Sequence, residues 1–353
     1  MFNRCGMQFG FRYVQGLRRP PSAFMICGTA TDKAVNWDLD TKIISGELAS
    51  LKDIQDLAAE AVDSDNRRDA IELDPEDKAI GKSVPQVLGE TKDKAVRLVT
   101  IHHSRIAPLI QPWRTSRRFT VNLDGFLRAR ATLLHREADS SELSPWRRRV
   151  MTRQAESLNA AAKEGIDFVG EQDIVEKYET DDHRYKYHEG ESPKEILNVR
   201  DTKTSAKRKN QGDADSDDQL TAYAMASMVV DDQLPNNLMF DVLTDTPVKK
   251  LTSAETFTTK RTSLDVDIYL NRIANAVGAI QQGIFTPTQQ TNWWCSEKYC
   301  GYAKICPYFR ATRRPGSELF TGLENAGKAD DLLPILQKSV ALARKDDEDD
   351  ADF

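Results

Sequence analysis

Gly170-Glu171-Gln172-Asp173-Ile174-Val175 and Val199-Arg200-Asp201-Thr202-Lys203-Thr204 are the two stretches on which the fold turns. Each brings apolar, β-favouring residues up to an aspartate, and the surrounding pattern reads as strands from Ile166 to Val175 and from Ile196 to about Lys203. A polar, aromatic-containing connection from Glu176 to Lys194 joins them. Strand side chains alternate, so Asp201 and Lys203 share a face. Gln219 and Tyr223, four apart, share a face of a helix expected from about Asp218 to Val229.

Outward from this centre the chain mixes helices and strands. Residues 38–110 read mainly as helices joined by polar turns, with Ile54, Leu57, Ala58 and Ala61 as a short apolar stripe. Phe119 to Leu123 alternates as a half-buried strand, and Asp124-Gly125 reads as a turn. A helix over 144–165 has Ser144 as its cap, Pro145 at its first position and Gly165 as its stop. Trp146, Val150, Leu158 and Ala162 are its expected inner face, and it reads as an insertion within a sheet. A strand at Leu238–Leu243 follows. The helix at about Leu264–Gln282 carries Ile268, Ile273, Val277 and Ile280 on one face and ends at Gly283. The expected class is α/β.

The chain has 353 residues, 39% hydrophobic and 29% charged, which fits a folded globular protein. No stretch approaches the roughly 20 apolar residues of a membrane span, no secretory leader is read, and the expected compartment is the cytosol. The net charge of −6 is concentrated at the end: Asp346, Asp347, Glu348, Asp349, Asp350 and Asp352 carry six negative charges, leaving the rest formally neutral. Against that neutral body stand basic clusters at Arg12, Arg18 and Arg19, at Arg114, Arg117 and Arg118, at Arg147 to Arg149 and at Lys207 to Lys209. Such clusters can bind phosphate backbones, although solvated surface is the ordinary fate of any one of them. Gly81-Lys82-Ser83 is not a Walker loop, because its first glycine would fall at Glu76. His102-His103 is a poor chelate and reads as surface or packing.

Two carboxylates on neighbouring strands offer the oxygen ligands that Mg²⁺ or Mn²⁺ prefer. Such an ion polarises a phosphate and acidifies a water nucleophile. Lys203, on the face of Asp201, could orient that water or neutralise charge on the phosphate. Cys295, Cys300 and Cys306 are spaced C-x4-C-x5-C and are followed by Pro307. With Cys5 as a distant fourth, they would make a site for Zn²⁺ or a [4Fe–4S] cluster, and spacing alone leaves both open. Cys27 has no motif partner and reads as core.

Taken in order, these residues resemble the RecB-like branch of the PD-(D/E)XK nucleases, whose signature runs Gly-Thr-x-x-His, Gly-x-x-Asp, Asp-x-Lys, Gln-x-x-x-Tyr. Here it reads Gly28-Thr29-Ala30-Thr31-Asp32, then Asp173, Asp201-Thr202-Lys203 and Gln219 with Tyr223, and the likeness runs from Cys5 to Phe309. It implies a restriction-endonuclease-like mixed central sheet flanked by helices. The expected organisation is one domain over 1–340, with helical insertions at about 38–110 and 128–165 and a cluster-binding segment at 293–309. By match to the motif, Asp32, Asp173, Asp201 and the carbonyl of Thr202 would hold the metal, Lys203 would be the catalytic lysine, and Gln219 and Tyr223 would complete the site. Asp32 is a departure, standing where the signature has histidine. The iron–sulfur exonucleases of the AddB and CRISPR-adaptation type imply a [4Fe–4S] cluster on Cys5, Cys295, Cys300 and Cys306, stapling the chain ends, with Zn²⁺ as the other occupant.

The function so implied is a metal-dependent DNA exonuclease on single strands or duplex ends, in recombination, repair or replication. The alternative is a DNA-binding or assembly protein that keeps the fold with an impaired site. The tail at 341–353, acidic and closing on Phe353, is expected to be a disordered, solubilising extension, or else a mimic of DNA that occupies the protein's own basic groove or docks on replication or recombination proteins.

Overall fold

Phe119, Val121 and Leu123 are buried while Thr120 and Asn122 are exposed, the alternation of a strand with one face on a core. In the computed structural model this strand is β1 (Pro112–Asn122). The structure describes residues 4–64, 71–162, 165, 167–180, 194–246, 251–297 and 299–309. The acidic tail and residues 181–193 of the polar connection lie outside the described residues. The chain divides into two compact units: Pro20–Gly283, which carries the sheet, and Met1–Arg19 with Ile284–Phe353.

In the larger unit, β1 is followed by β2 (Asp167–Thr180), β3 (Lys194–Ser205), β4 (Asn237–Thr246) and β5 (Leu251–Thr259). Among the described residues these form one five-stranded sheet in the order β1-β2-β3-β4-β5. β3 and β4 are parallel and the other pairs antiparallel. A parallel pair needs a crossover, and the chain between β3 and β4 holds a short α8 (Gln211–Asp215) and α9 (Asp218–Val230). β5 was not anticipated: its Leu-Thr-Ser-Ala-Glu-Thr-Phe-Thr-Thr sequence lacks apolar alternation because it lies at the sheet edge with β4 as its neighbour.

Val242 and Leu243, adjacent in β4, belong to different cores, so helices cover both faces. One core packs α9 against α6 (Asp124–Ala138), α7 (Pro145–Ala161) and α10 (Ser263–Gln281). The other packs α2 (Ala23–Ser45), α3 (Leu51–Ser64) and α5 (Val84–Arg105). The α6–α7 pair is inserted between β1 and β2.

Several local readings are corrected. Asp124-Gly125 is no turn but the start of α6: Asn122 Oδ1 accepts from the Asp124 amide at 3.2 Å, and the Asp124 charge suits a helix N-terminus. Ser144 does cap α7 as expected, accepting from the Arg147 amide. The inner face of α7 is Ala155, Leu158, Ala161 and Ala162, while Trp146 and Val150 are exposed because the first turns run beyond the core. Ile268 on α10 is likewise exposed, the buried line there being Val266, Ala274 and Gly278. The cluster Arg114, Arg117, Arg118 loses Arg117, which is buried and paired through two bonds with Asp231. Arg208 pairs with Glu255.

Gly170 needs no special backbone angle but has no room for a side chain. Its cross-strand partner is Phe119, and an added Cβ would stand 2.5 Å from the ring. The signature glycine of β2 is therefore a floor on which Phe119 lies.

His102, on α5, is completely enclosed with neither ring nitrogen hydrogen-bonded, while His103 meets Asp38 at 2.8 Å. Burial pushes the His102 pKa down to about 4, against a smaller opposing effect of Asp38. The unfolded chain takes up this proton near its ordinary value of about 6.5 and the folded chain resists it. The stabilisation is thus complete above that value and is lost as pH falls towards 4. The loss is about 3 kcal/mol. Thermal midpoints measured through this window should fall for the native chain and fall less for His102→Leu; equal slopes would locate the dependence elsewhere.

Candidate active site

The site is assembled within the larger unit from β2, β3, α9 and α2. Asp217 caps α9, accepting from the amides of Gln219 and Leu220, and so fixes the helix start that carries Gln219. Gln219 Nε2 donates to Asp201 Oδ1 at 2.8 Å and to the Tyr223 phenol at 2.7 Å. The Tyr223 hydroxyl lies 3.1 Å from Asp173 Oδ1 and 3.3 Å from Asp201 Oδ1, bridging the two carboxylates. Lys203 Nζ donates to Gln219 Oε1 at 2.6 Å and stands 2.7 Å from Asp201 Oδ2. The Thr202 amide donates to Asp173 Oδ2 at 3.4 Å. Five of the expected side chains are thus one hydrogen-bonded group, with Thr202 joined to it through its backbone.

Asp32 lies on α2, where the charges of Asp173 and Lys203 act on it. No helix is evident from the sequence there, yet α2 starts at Ala23, capped by Ser22, and runs through Gly28 to Asp32 until left-handed Gly46 ends it. Burial and then the charges of Asp173 and Glu171 raise the Asp32 pKa to about 6. Asp173 and Asp201 are also raised, Asp201 well above the ordinary carboxylate range; burial leads in both, and Lys203 opposes it. Burial and the same two aspartates push the Tyr223 phenol up, so it stays a donor.

Asp173 disfavours the ionisation of both Asp32 and Asp201, and a cation beyond Lys203 would relieve it. Asp201 Oδ2 is buried and accepts no well-directed hydrogen bond, the Lys203 ammonium facing it as a charge. The donor set of carboxylate oxygens suits Mg²⁺ or Mn²⁺. Among the described residues, however, no three His, Cys, Asp or Glu side chains stand in a formed coordination group. Tyr223, Gln219 and Lys203 occupy the carboxylate oxygens instead.

The group rests on supports that the sequence did not reveal. Gln172, fully buried, donates to the Tyr223 carbonyl at 3.1 Å and to Ser227 Oγ at 3.0 Å, and accepts from Arg117 Nε at 2.6 Å. Arg117 in turn holds Asp231 just beyond α9, so β1 and β2 grip that helix. Arg261, also buried, donates to the Asp217 and Ala214 carbonyls and to Thr221 Oγ1 at the other end. Gln172 faces α9 whereas Ile174, two residues on, packs in the core with α2. β2 therefore changes its facing at Asp173. On β1, Ser116 between the pairs Thr115–Ile174 and Arg117–Gln172 is held at φ 44°, and its Oγ accepts from Asn36 on α2.

In the smaller unit, Cys5, Cys295, Cys300 and Cys306 line one small apolar cavity with Phe11, Tyr302 and Phe309. The Gly6 amide donates to the Thr286 carbonyl at 2.8 Å, and the Tyr302 hydroxyl donates to the Leu17 carbonyl at 2.7 Å. N- and C-terminal segments are thereby joined. Burial first, and then Cys300, Cys306 and Cys5, raise the Cys295 pKa. Four thiols around one cavity fit a Cys₄ ligand set in composition. Cys27 lies in the core of the larger unit, as expected.

The family model of the PD-(D/E)XK nuclease superfamily matches residues 1–307. The chain belongs to the PD-(D/E)XK nuclease superfamily. No curated protein and no solved structure matches. The mixed sheet with helices on both faces is consistent with the restriction-endonuclease-like fold of that superfamily. No helix among the described residues is long and apolar enough to cross a membrane.

Membership makes the place of Asp32 testable. Asp32→Ala should raise the Mg²⁺ or Mn²⁺ concentration needed for half-maximal cleavage roughly tenfold or more, by loss of one charged ligand, and Asp32→His should retain activity. An unaltered metal titration in Asp32→Ala would place the residue outside the ion's ligands.

Proposed function

We propose that the chain is a Mg²⁺- or Mn²⁺-dependent deoxyribonuclease, an exonuclease acting on single strands or duplex ends in recombination, repair or replication. The observation that carries this reading is Lys203 Nζ at 2.7 Å from Asp201 Oδ2, beside an Asp173 bridged to Asp201 by Tyr223. Asp173, Asp201, Asp32 and the Thr202 carbonyl would hold the ion, which supplies a polarised phosphate and an acidified water.

The protein's own residues do the rest. Lys203 neutralises charge developing on the phosphate oxygens and orients the attacking water. Gln219 fixes Asp201 and Lys203 together through one amide, Nε2 to the carboxylate and Oε1 from the ammonium. Tyr223 sets the separation of the two aspartates. Cys5, Cys295, Cys300 and Cys306 would carry a [4Fe–4S] cluster, or Zn²⁺ in its place, as a structural staple.

A second reading is a DNA-binding or assembly protein with an impaired site. Asp32, standing where the signature has histidine, favours it. Incubation of end-labelled single- and double-stranded DNA with Mg²⁺ or Mn²⁺, using protein purified without oxygen, decides between them. Metal-dependent shortening supports the first reading, and binding without any cleavage the second.

A further inference from the structure

Trp113 stands at the bulge of β1. The register with β2 steps from Pro112 opposite Glu176 to Arg114 opposite Val175, which leaves Trp113 unmatched and turned out of the ladder. β1 is an edge strand, and the indole is 36% exposed. Three cations surround its ring: Arg114 at 4.6 Å, Lys177 at 5.3 Å and Arg117 at 5.8 Å from the centroid. Arg117 is committed to Asp231 and Lys177 meets Glu195, while Arg114 is exposed. Further along, Ser116 lies between Thr115, paired with Ile174, and Arg117, paired with Gln172, and Arg118 beyond it is 89% exposed, with a long 3.4 Å approach to Glu171.

Along this edge Trp113 and Arg114 precede the kink at Ser116 and Arg118 follows it, next to the part of β2 that carries the candidate catalytic aspartate. From Trp113 to Ser116 is roughly 10 Å at the rise of an extended strand. A duplex hides its base faces in its own stack, whereas a single strand offers them to an aromatic ring. Guanidinium groups on either side of Ser116 along the same edge match a phosphate backbone. We propose that this edge is a track for single-stranded DNA, with a base stacked on Trp113 and phosphates against Arg114 and Arg118. The proposal deepens the nuclease reading and rests on it for the identity of the substrate.

Binding of labelled oligothymidylate to the full chain, with metal chelated, separates the two. Trp113→Ala should weaken binding on the order of tenfold, and Trp113→Phe should keep most of the affinity. An abasic oligomer of the same length should bind the native chain and Trp113→Ala alike, as should a blunt duplex. Arg114→Ala and Arg118→Ala should each reduce the slope of log affinity against log salt by about 0.7. Equal affinity of native and Trp113→Ala protein for oligothymidylate, at unchanged thermal midpoint, overturns the track, as does an equal loss with the abasic oligomer. Trp113-dependent binding by a chain that never cleaves keeps the track and removes the nuclease; cleavage without that dependence does the reverse.

Discussion

Asp201→Asn is expected to abolish metal-dependent cleavage, lowering its rate at least on the order of a thousandfold. The amide is isosteric, so Gln219 and Tyr223 keep a neighbour of the same shape, and the charge the site is built around disappears. Asp201 is fully buried and sits in the ladder with Phe240 of β4, which makes the asparagine variant a cleaner probe than alanine. Lys203→Met should be comparably inactive for a different reason: the charge on the phosphate loses its counterpart while the carboxylates remain. DNA binding with metal chelated should survive in both, and thermal midpoints report whether each fold is intact. Full cleavage by both variants would remove these residues from the chemistry.

Cys300→Ser should be the most damaging change in the smaller unit. Protein purified without oxygen is expected to be brown and to contain iron and sulfide, and each of Cys295→Ser, Cys300→Ser and Cys306→Ser should lose that colour and much solubility. Metal-dependent folding of small cysteine sites involves on the order of 10 kcal/mol, far above the effect of one hydroxyl-for-thiol exchange in a core. Cys27→Ser is the control, because that thiol packs in α2 among Ile26, Ala30 and Ala34. One bound zinc with no iron would overturn the cluster and leave a four-cysteine site standing.

The chemistry-bearing residues were legible because each lies on a regular element whose period the sequence displays. Asp201 and Lys203 alternate along β3, and Gln219 and Tyr223 are one turn apart on α9, so spacing put each pair on one face. The order of the family motif, not spacing, joined the two pairs to each other and to Asp173. α2 was hidden because Gly28, Thr29 and Thr31 are weak helix formers. Its helix is made by the Ser22 cap and by packing of Ile26, Ala30, Ala34 and Leu39. The grip of Arg117 on Gln172 and Asp231 was not legible at all. It joins positions 55 and 114 residues apart, and a buried arginine is indistinguishable from a solvated one until its partners are in space. Trp146 misled for the opposite reason: it has the right spacing for an inner face but lies beyond the end of what there is to cover.

Phe119 and Gly170 are two positions that can only be inherited together. The ring fills the volume where a side chain at 170 would stand, so any enlargement there requires a smaller partner at 119, and loss of the ring leaves a hole beside the strand that carries Asp173. A chimera that joins β1 from one relative to β2 from another therefore has to carry both residues across, or neither.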